Sequence, residues 1–277
     1  MLISAKLPPV FGYEGLVGFW RAADELGYHA IWNYDHFYGI GGLMELTQPT
    51  LEGWTTLAAM AALTKRARVG CMVTGVTYRH PAVLANMAVS VDHISGGRLE
   101  IGMGAAWHEP EHRAYGITYP PAGTRIAMLD EALTLMKMLW TQERTTFGGT
   151  FWSLEDALCE PKPVQRPHPP IVVGGSGEKK TLRVVAKHAD EWNTPGQDPV
   201  EWLRLNKVLD EHCAAVDRDP KEIRRGVQLF VIPDVEGNAE SHVANYPAFE
   251  DAGCEHIVLS FYSPPSLDLV EKLAPRG

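Results

Sequence analysis

The stretch "AAWHEPEHRAYG", residues 105–116, sets His108, Glu109 and His112 in the spacing H-E-x-x-H. Two histidines four apart on one helical face, with a glutamate beside the first, hold zinc and a general base in metalloproteases. Pro110 interrupts the pattern. Proline breaks a helix from within but suits its first turn, so His108 is expected to precede the helix and the zinc triple is not expected to form. No metal is therefore expected, and a zinc hydrolase ranks last among the readings. Asp35 and His36 close an apolar run and lead into Phe37 and Tyr38. A histidine beside an acid can carry a proton near neutral pH. It can equally be half of a structural pair.

In "VVGGSGEKKTL", residues 172–182, consecutive glycines stand between a strand pattern and a helix pattern. Free backbone N–H groups there make an anion site, with Lys179 and Lys180 close by. Neither nucleotide fingerprint is met. Lys179 stands at the second glycine of a P-loop, and Trp107 at the third glycine of G-x-G-x-x-G in "GMGAAW". Glycines in "GRLEIGMG" mark a strand end that something approaches closely, either a planar cofactor or the neighbouring strand.

The elements that must position these residues alternate along the chain. Apolar runs fall at 2–7, 29–34, 68–74, 99–104, 170–174, 189–194, 226–233 and 256–262, most without period-two alternation, as in strands covered on both faces. Helical periodicity fills 14–26, 53–65, 81–95, 124–141, 179–188, 199–215, 239–252 and 266–274, with Pro81 and Pro199 near starts and Gly27 and Gly253 near ends. Eight strand–helix units in 277 residues predict a single (β/α)8 TIM barrel over 1–277. Insertions follow the second strand (36–53) and precede the fifth (142–169), where "TTFGGTFW" predicts a hairpin. Function in such a barrel belongs on the loops after the strand carboxyl ends, where these polar and glycine-rich clusters lie.

Composition bounds the partners. A formal net charge of −9 disfavours nucleic acid and anionic membranes, which need a basic face. The start "MLISAKLPPV" lacks signal-peptide features and no apolar run is long enough to span a bilayer. Cys71, Cys159, Cys213 and Cys254 are scattered, as free thiols in a reducing cytoplasm would be.

"DHISGGRLEIGMGAAWHEPEHRAYGITYPP", with "LDEALTLMKMLW", "EPKPVQRPHPPIVVGGSGEKKTLRVVAKHADEWN" and "DRDPKEI", resembles the luciferase-like monooxygenase superfamily. It is most similar to the branch of oxidoreductases that use the deazaflavin coenzyme F420. The resemblance implies the same barrel, with the ring at the strand carboxyl ends. It implies Asp35 and His36 beside the deazaflavin, and Gly75 and Val76 at a bulge with a non-proline cis peptide behind the ring. Ala105 and Ala106 would line the ring edge, Gly174, Gly175, Ser176 and Gly177 the phosphate, and Thr194 and Pro195 the next loop. F420-dependent sugar-phosphate dehydrogenases carry a catalytic glutamate where this chain has Trp107. Glu109 follows two residues later as a candidate acid, and His108 as a cofactor or substrate contact. The implied activity is hydride transfer between F420 and a small organic substrate by a homodimer, with His36 oriented by Asp35 as the proton carrier. Arg79, Arg113, Lys179, Lys180 and Arg183 could form a basic patch for the polyglutamyl tail. The alternatives are an FMN-dependent monooxygenase and an F420- or flavin-binding protein without turnover.

Overall fold

The structure is a computed structural model that describes residues 1–40, 45–196, 198–232, 235 and 237–275. The eight apolar runs become β1 (Leu2–Lys6), β2 (Ala30–Asn33), β3 (Arg68–Gly75), β4 (Leu99–Gly104), β7 (Ile171–Gly174), β8 (Glu191–Pro195), β9 (Arg224–Val231) and β10 (His256–Phe261). They are parallel and close in chain order, β10 pairing with β1. Helices α1 (Gly12–Glu25), α2 (Gly53–Leu63) and α3 (Pro81–Ser95) follow the first three strands. Next come α4 (Glu109–Tyr115) and α5 (Ala122–Thr141), then α6 (Thr181–His188), α7 (Pro199–Ala215), α8 (Asn238–Asp251) and α9 (Leu267–Lys272). The predicted (β/α)8 barrel is therefore the observed fold. The second insertion carries an antiparallel hairpin, β5 (Thr145–Gly148) and β6 (Ser153–Ala157). Of the first insertion, residues 41–44 lie outside the described residues.

Local chemistry sets the element ends. The His80 side chain accepts the Ala82 N–H at 3.2 Å with Pro81 opening α3, and Asp198 accepts the Val200 N–H at 2.9 Å with Pro199 opening α7. Gly27 and Gly253 end their helices at φ 82° and 92°, a region that favours glycine.

Strand side chains alternate between the helix-covered outside and the barrel interior. Outside, residues such as Ile3, Val69, Ile101 and Leu259 join the main core beneath the helices. Inside, three layers stack. At the strand amino ends lies a charge network whose acids and His256 are buried while Arg68 and Arg224 reach the surface. Arg68 Nε donates to Glu100 at 2.6 Å, Arg224 to Glu191 at 3.2 Å, and His256 lies 2.8 Å from Glu191. Above it, Ala30, Trp32, Met72, Val172 and Val258 form an apolar plug. Gly70 makes room for it, since a Cβ there would lie 2.3 Å from the Trp32 ring. The third layer, at the carboxyl ends, is open.

The irregularity expected at Gly75 and Val76 lies earlier in β3. The pairing with β4 shifts between Cys71 and Thr74, and the cis peptide is Met72–Val73. The shift turns the Val73 side chain toward Gly104 and Gly174, where a Cβ would stand 2.6 and 2.9 Å from its methyls. The neighbouring strand β3 thus packs closely against the Gly-rich end of β4, and Gly104 also borders the cavity.

Candidate active site

Asp35 and His36 leave the end of β2 in different directions. Asp35 receives both terminal nitrogens of Arg79, at 2.6 and 2.9 Å. Arg79 also bonds Glu52, whose side chain caps α2 through the Trp54 and Thr55 N–H groups at 3.1 and 2.6 Å. This ion pair ties the loops after β2 and β3 together. Burial pulls the Arg79 guanidinium down, but its bonds to Asp35 hold it above its ordinary value.

His36 turns instead toward α4. Its Nδ1 lies 2.8 Å from Glu111 Oε2, which also accepts the Tyr78 hydroxyl at 2.6 Å, while Glu111 Oε1 takes the Phe37 N–H. Burial alone would raise the Glu111 carboxyl; the bonds from His36, Phe37 and Tyr78 outweigh it and bring it to about 2. Glu111 is therefore ionised and keeps a proton on His36 Nδ1. The other nitrogen, Nε2, is left for a molecule in the cavity that His36 lines. The expectation that Asp35 orients His36 is corrected: Arg79 has taken Asp35, and the orienting carboxylate is Glu111.

The H-E-x-x-H residues fall as the proline dictates. α4 begins at Glu109, Pro110 sits in its first turn and His108 precedes it. His112 Nδ1 meets the His108 carbonyl at 2.8 Å and its Nε2 meets Thr77 Oγ1 at 2.6 Å, so both ring nitrogens are engaged within the fold. Glu109 is exposed and does not line the cavity. A helix that starts at 109 buries 111 and 112, which is why Glu111 rather than Glu109 reaches His36. His108, Glu111 and His36 have ligand atoms within 4.8 Å of one another, the arrangement among the described residues that could share a metal ion. Glu111 already accepts three hydrogen bonds there, which organises the group around a proton. His108 Nδ1 is buried, 3.6 Å from Glu111, without a hydrogen-bond partner among the described residues. Burial pushes that imidazole down.

Beside this group lies a cavity of about 540 Å³, within the usual range for small-molecule sites. One wall is made by Met72, Val73, Gly75 and Gly104 to Ala106. Arg125 donates to the Ala105 carbonyl at 3.0 Å and lies 3.9 Å over the Tyr119 ring, which fixes that loop. The wall continues through Gly174, Gly175 and Thr181 to Asn193 and Pro195. At Gly177 a Cβ would come 2.6 Å from Thr181 Oγ1, so the backbone turns there with no room for a side chain. The Gly175 N–H is bonded to the Asn193 carbonyl at 3.1 Å, and the rest of such a turn before α6 suits a phosphate. Of the sequence candidates, Asp35, His36, Gly75, Ala105, Ala106, Gly174, Gly175 and Pro195 border the cavity. Val76 and Thr194 are buried away from it, because their neighbours Gly75, Asn193 and Pro195 take the inward positions; Ser176 and Gly177 are exposed at its rim. Tyr34, Asn193, Gln228, Phe230 and Tyr262 also border it and were not anticipated from the sequence; strand alternation would have found several once the register was known. Lys179, Lys180, Arg113 and Arg183 are exposed, and Arg79 is spent on Asp35.

Residues 4–261 match the model of the luciferase-like monooxygenase family. An uncharacterized protein of Mycobacterium tuberculosis is 37% identical over 185 residues, 67% of this chain and 64% of that one. An F420-dependent glucose-6-phosphate dehydrogenase of Microbacterium testaceum is 32% identical over 232 residues, 81% of this chain and 66% of its own. An FMNH(2)-dependent dimethylsulfone monooxygenase of Pseudomonas putida is 29% identical over 201 residues, 72% and 54% of the two chains. The matched segments thus span less than two thirds of these relatives' lengths. In three dimensions an F420-dependent secondary alcohol dehydrogenase, solved with an F420-acetone adduct, superposes with a TM-score of 0.82 at 18% identity. It covers 99% of this chain and 97% of that one, a likeness of fold. The chain belongs to the luciferase-like monooxygenase family and is built on a (β/α)8 barrel.

Proposed function

We propose that the protein is an F420-dependent oxidoreductase acting on a small organic substrate. The observation that carries this reading is the His36–Glu111 pair at the edge of a cavity whose opposite wall ends in the Gly174–Gly177 cradle. When bound, F420 supplies or takes up a hydride, leaving the protein to orient the partners and move a proton. The cradle and the first turn of α6 would hold its phosphate, and Ala105 and Ala106 would present backbone to its ring. With its Nδ1 proton held by Glu111, His36 takes up a second proton at Nε2 and gives it to the substrate oxygen, or with Nε2 bare removes that proton in the reverse direction. Glu111 is the positioning residue that fixes the ring by Nδ1. Trp107, 58% exposed at the mouth and edge-on to His36 at 5.7 Å, shields that nitrogen from water.

A second reading, an FMN-dependent monooxygenase, is favoured by the dimethylsulfone monooxygenase relative. The test is oxidation of reduced F420 by a panel of ketones, aldehydes and activated alkenes, followed by the return of its visible absorbance. Oxidation by one class, slowed about a hundredfold or more in His36→Ala, is expected. F420 binding without oxidation across the panel would instead make the protein a carrier, and His36→Ala with undiminished turnover would remove His36 from the chemistry.

A further inference from the structure

Lys6 stands at the end of β1 on the cavity side opposite the cradle, 8% exposed. Its Nζ donates to Gln228 Oε1 of β9 at 2.9 Å, and it is level with Ser260 of β10 in the strand register. An ammonium has three donors, and one is used here. Among the described residues no carboxylate lies within ion-pair distance of it. The other cations that border or brace the site are answered inside the fold: Arg79 by Asp35 and Glu52, and Arg125 by the Ala105 and Pro120 carbonyls and the Tyr119 ring. A buried charge without a counter-charge is costly unless a ligand provides one. Around Lys6 the cavity is lined by Pro8, Tyr34, Phe230 and Tyr262, and the charge of Asp35, just past the end of the next strand, is answered by Arg79.

Resting on the oxidoreductase reading, we infer that Lys6, held by Gln228 and flanked by Ser260, is the anchor for a substrate carboxylate, so that the substrate class is a small, largely apolar monocarboxylic acid. One ammonium matches one negative charge. A phosphate dianion would need a second cation, and Arg125, which also borders the cavity, is held away from Lys6 by the Ala105 and Pro120 carbonyls and the Tyr119 ring. The reacting carbon then lies between this anchor and His36 on the far side of β2, and the acid's apolar body fills the aromatic part of the cavity. Burial lowers the Lys6 ammonium to about 8. Burial also pushes the neighbouring Cys71 thiol well up, so it stays neutral as Lys6 titrates and supplies no counter-charge.

The probes are phenylacetate, its neutral amide phenylacetamide, and phenyl phosphate, titrated by calorimetry into the protein with and without saturating F420. Near neutral pH the acid is expected to bind about tenfold to a hundredfold more tightly than the amide, the range of a charge-assisted bond, and more tightly than the phosphate. The acid's advantage should fade as pH rises through 8, with proton uptake on binding, while amide affinity stays flat. Lys6→Met should abolish the preference and leave F420 affinity unchanged. Equal binding of acid and amide, preference for the phosphate, or acid preference surviving in Lys6→Met overturns the anchor. So does loss of F420 affinity in Lys6→Met without any acid preference in the parent, which would set the ammonium against the cofactor. Should Lys6→Met not fold, proton uptake and the pH profile of the parent decide. Acid preference without F420 binding would keep the anchor and remove the cofactor reading.

Discussion

Glu111 and His36 at the carboxyl ends of the barrel strands, and Glu191 and His256 at the amino ends, are joined by bonds of the same 2.8 Å. Each pair carries a hydroxyl at 2.6 Å, Tyr78 on Glu111 above and Ser4 on His256 below. The lower set even has the serine–histidine–glutamate order of a hydrolase triad. The two differ in what borders them. His256 has both ring nitrogens engaged, is fully buried, and sits under the Trp32 plug among Glu100, Arg68 and Arg224. His36 has one nitrogen engaged and the other facing a cavity. Hydrogen-bonded acid–histidine pairs are therefore poor markers of chemistry here; access to the second nitrogen separates a site from a structural brace.

The largest expected effect that would break this contrast is on turnover. His36→Ala should lower it about a hundredfold to ten-thousandfold, with F420 affinity within a few-fold. Steady-state rates and cofactor titration on the same preparation check this. His256→Ala should do the opposite, losing about 1–3 kcal/mol of stability because the buried Glu191 and Ser4 are each left one partner short while Arg224 stays on Glu191, with the folded fraction keeping its rate. Denaturant unfolding alongside rate assays separates the two. Gly70→Ala should destabilise by about 1–3 kcal/mol through overpacking, as the new methyl meets Trp32; an unchanged midpoint would show that the plug yields.

Acid should distinguish the two ends by window. Burial, helped by His256, lowers His29 at the amino end from 6.5 to about 4. The unfolded chain then binds the extra proton first, so stability falls as pH drops from 6.5 toward 4. Glu111 sits at about 2 against an ordinary 4.5, so its contribution is complete above 4.5 and is lost as pH falls toward 2. Thermal melts across both windows should show a shallower upper slope in His29→Gln and a shallower lower slope in Glu111→Gln. The reverse assignment would contradict the charge states described.

The barrel was legible because buried parallel strands are continuous apolar runs, and because prolines and glycines stand at helix starts and ends. The proline in "HEPEH" likewise revealed that α4 begins after His108. What the sequence concealed was pairing across distance. Asp35 and His36 are adjacent, yet one is answered by Arg79, 44 residues away, and the other by Glu111, 75 away. Glu109 and Glu111 share one helical turn, and only the angle at which α4 meets the barrel decides which is buried. Lys6 lies inside an apolar run that reads simply as a strand. Its meaning depends on Gln228, 222 residues later, and on the absence of a nearby acid among the described residues.

The most direct test of the central claim is a titration of the cofactor-stripped protein with F420 and with FMN, following tryptophan quenching, in the parent protein and in His36→Ala and His256→Ala. Tight F420 and weak FMN binding are expected in all three folded proteins, with hydride transfer lost only in His36→Ala. Preference for FMN, or hydride transfer lost in a folded His256→Ala but retained in His36→Ala, would contradict this reading.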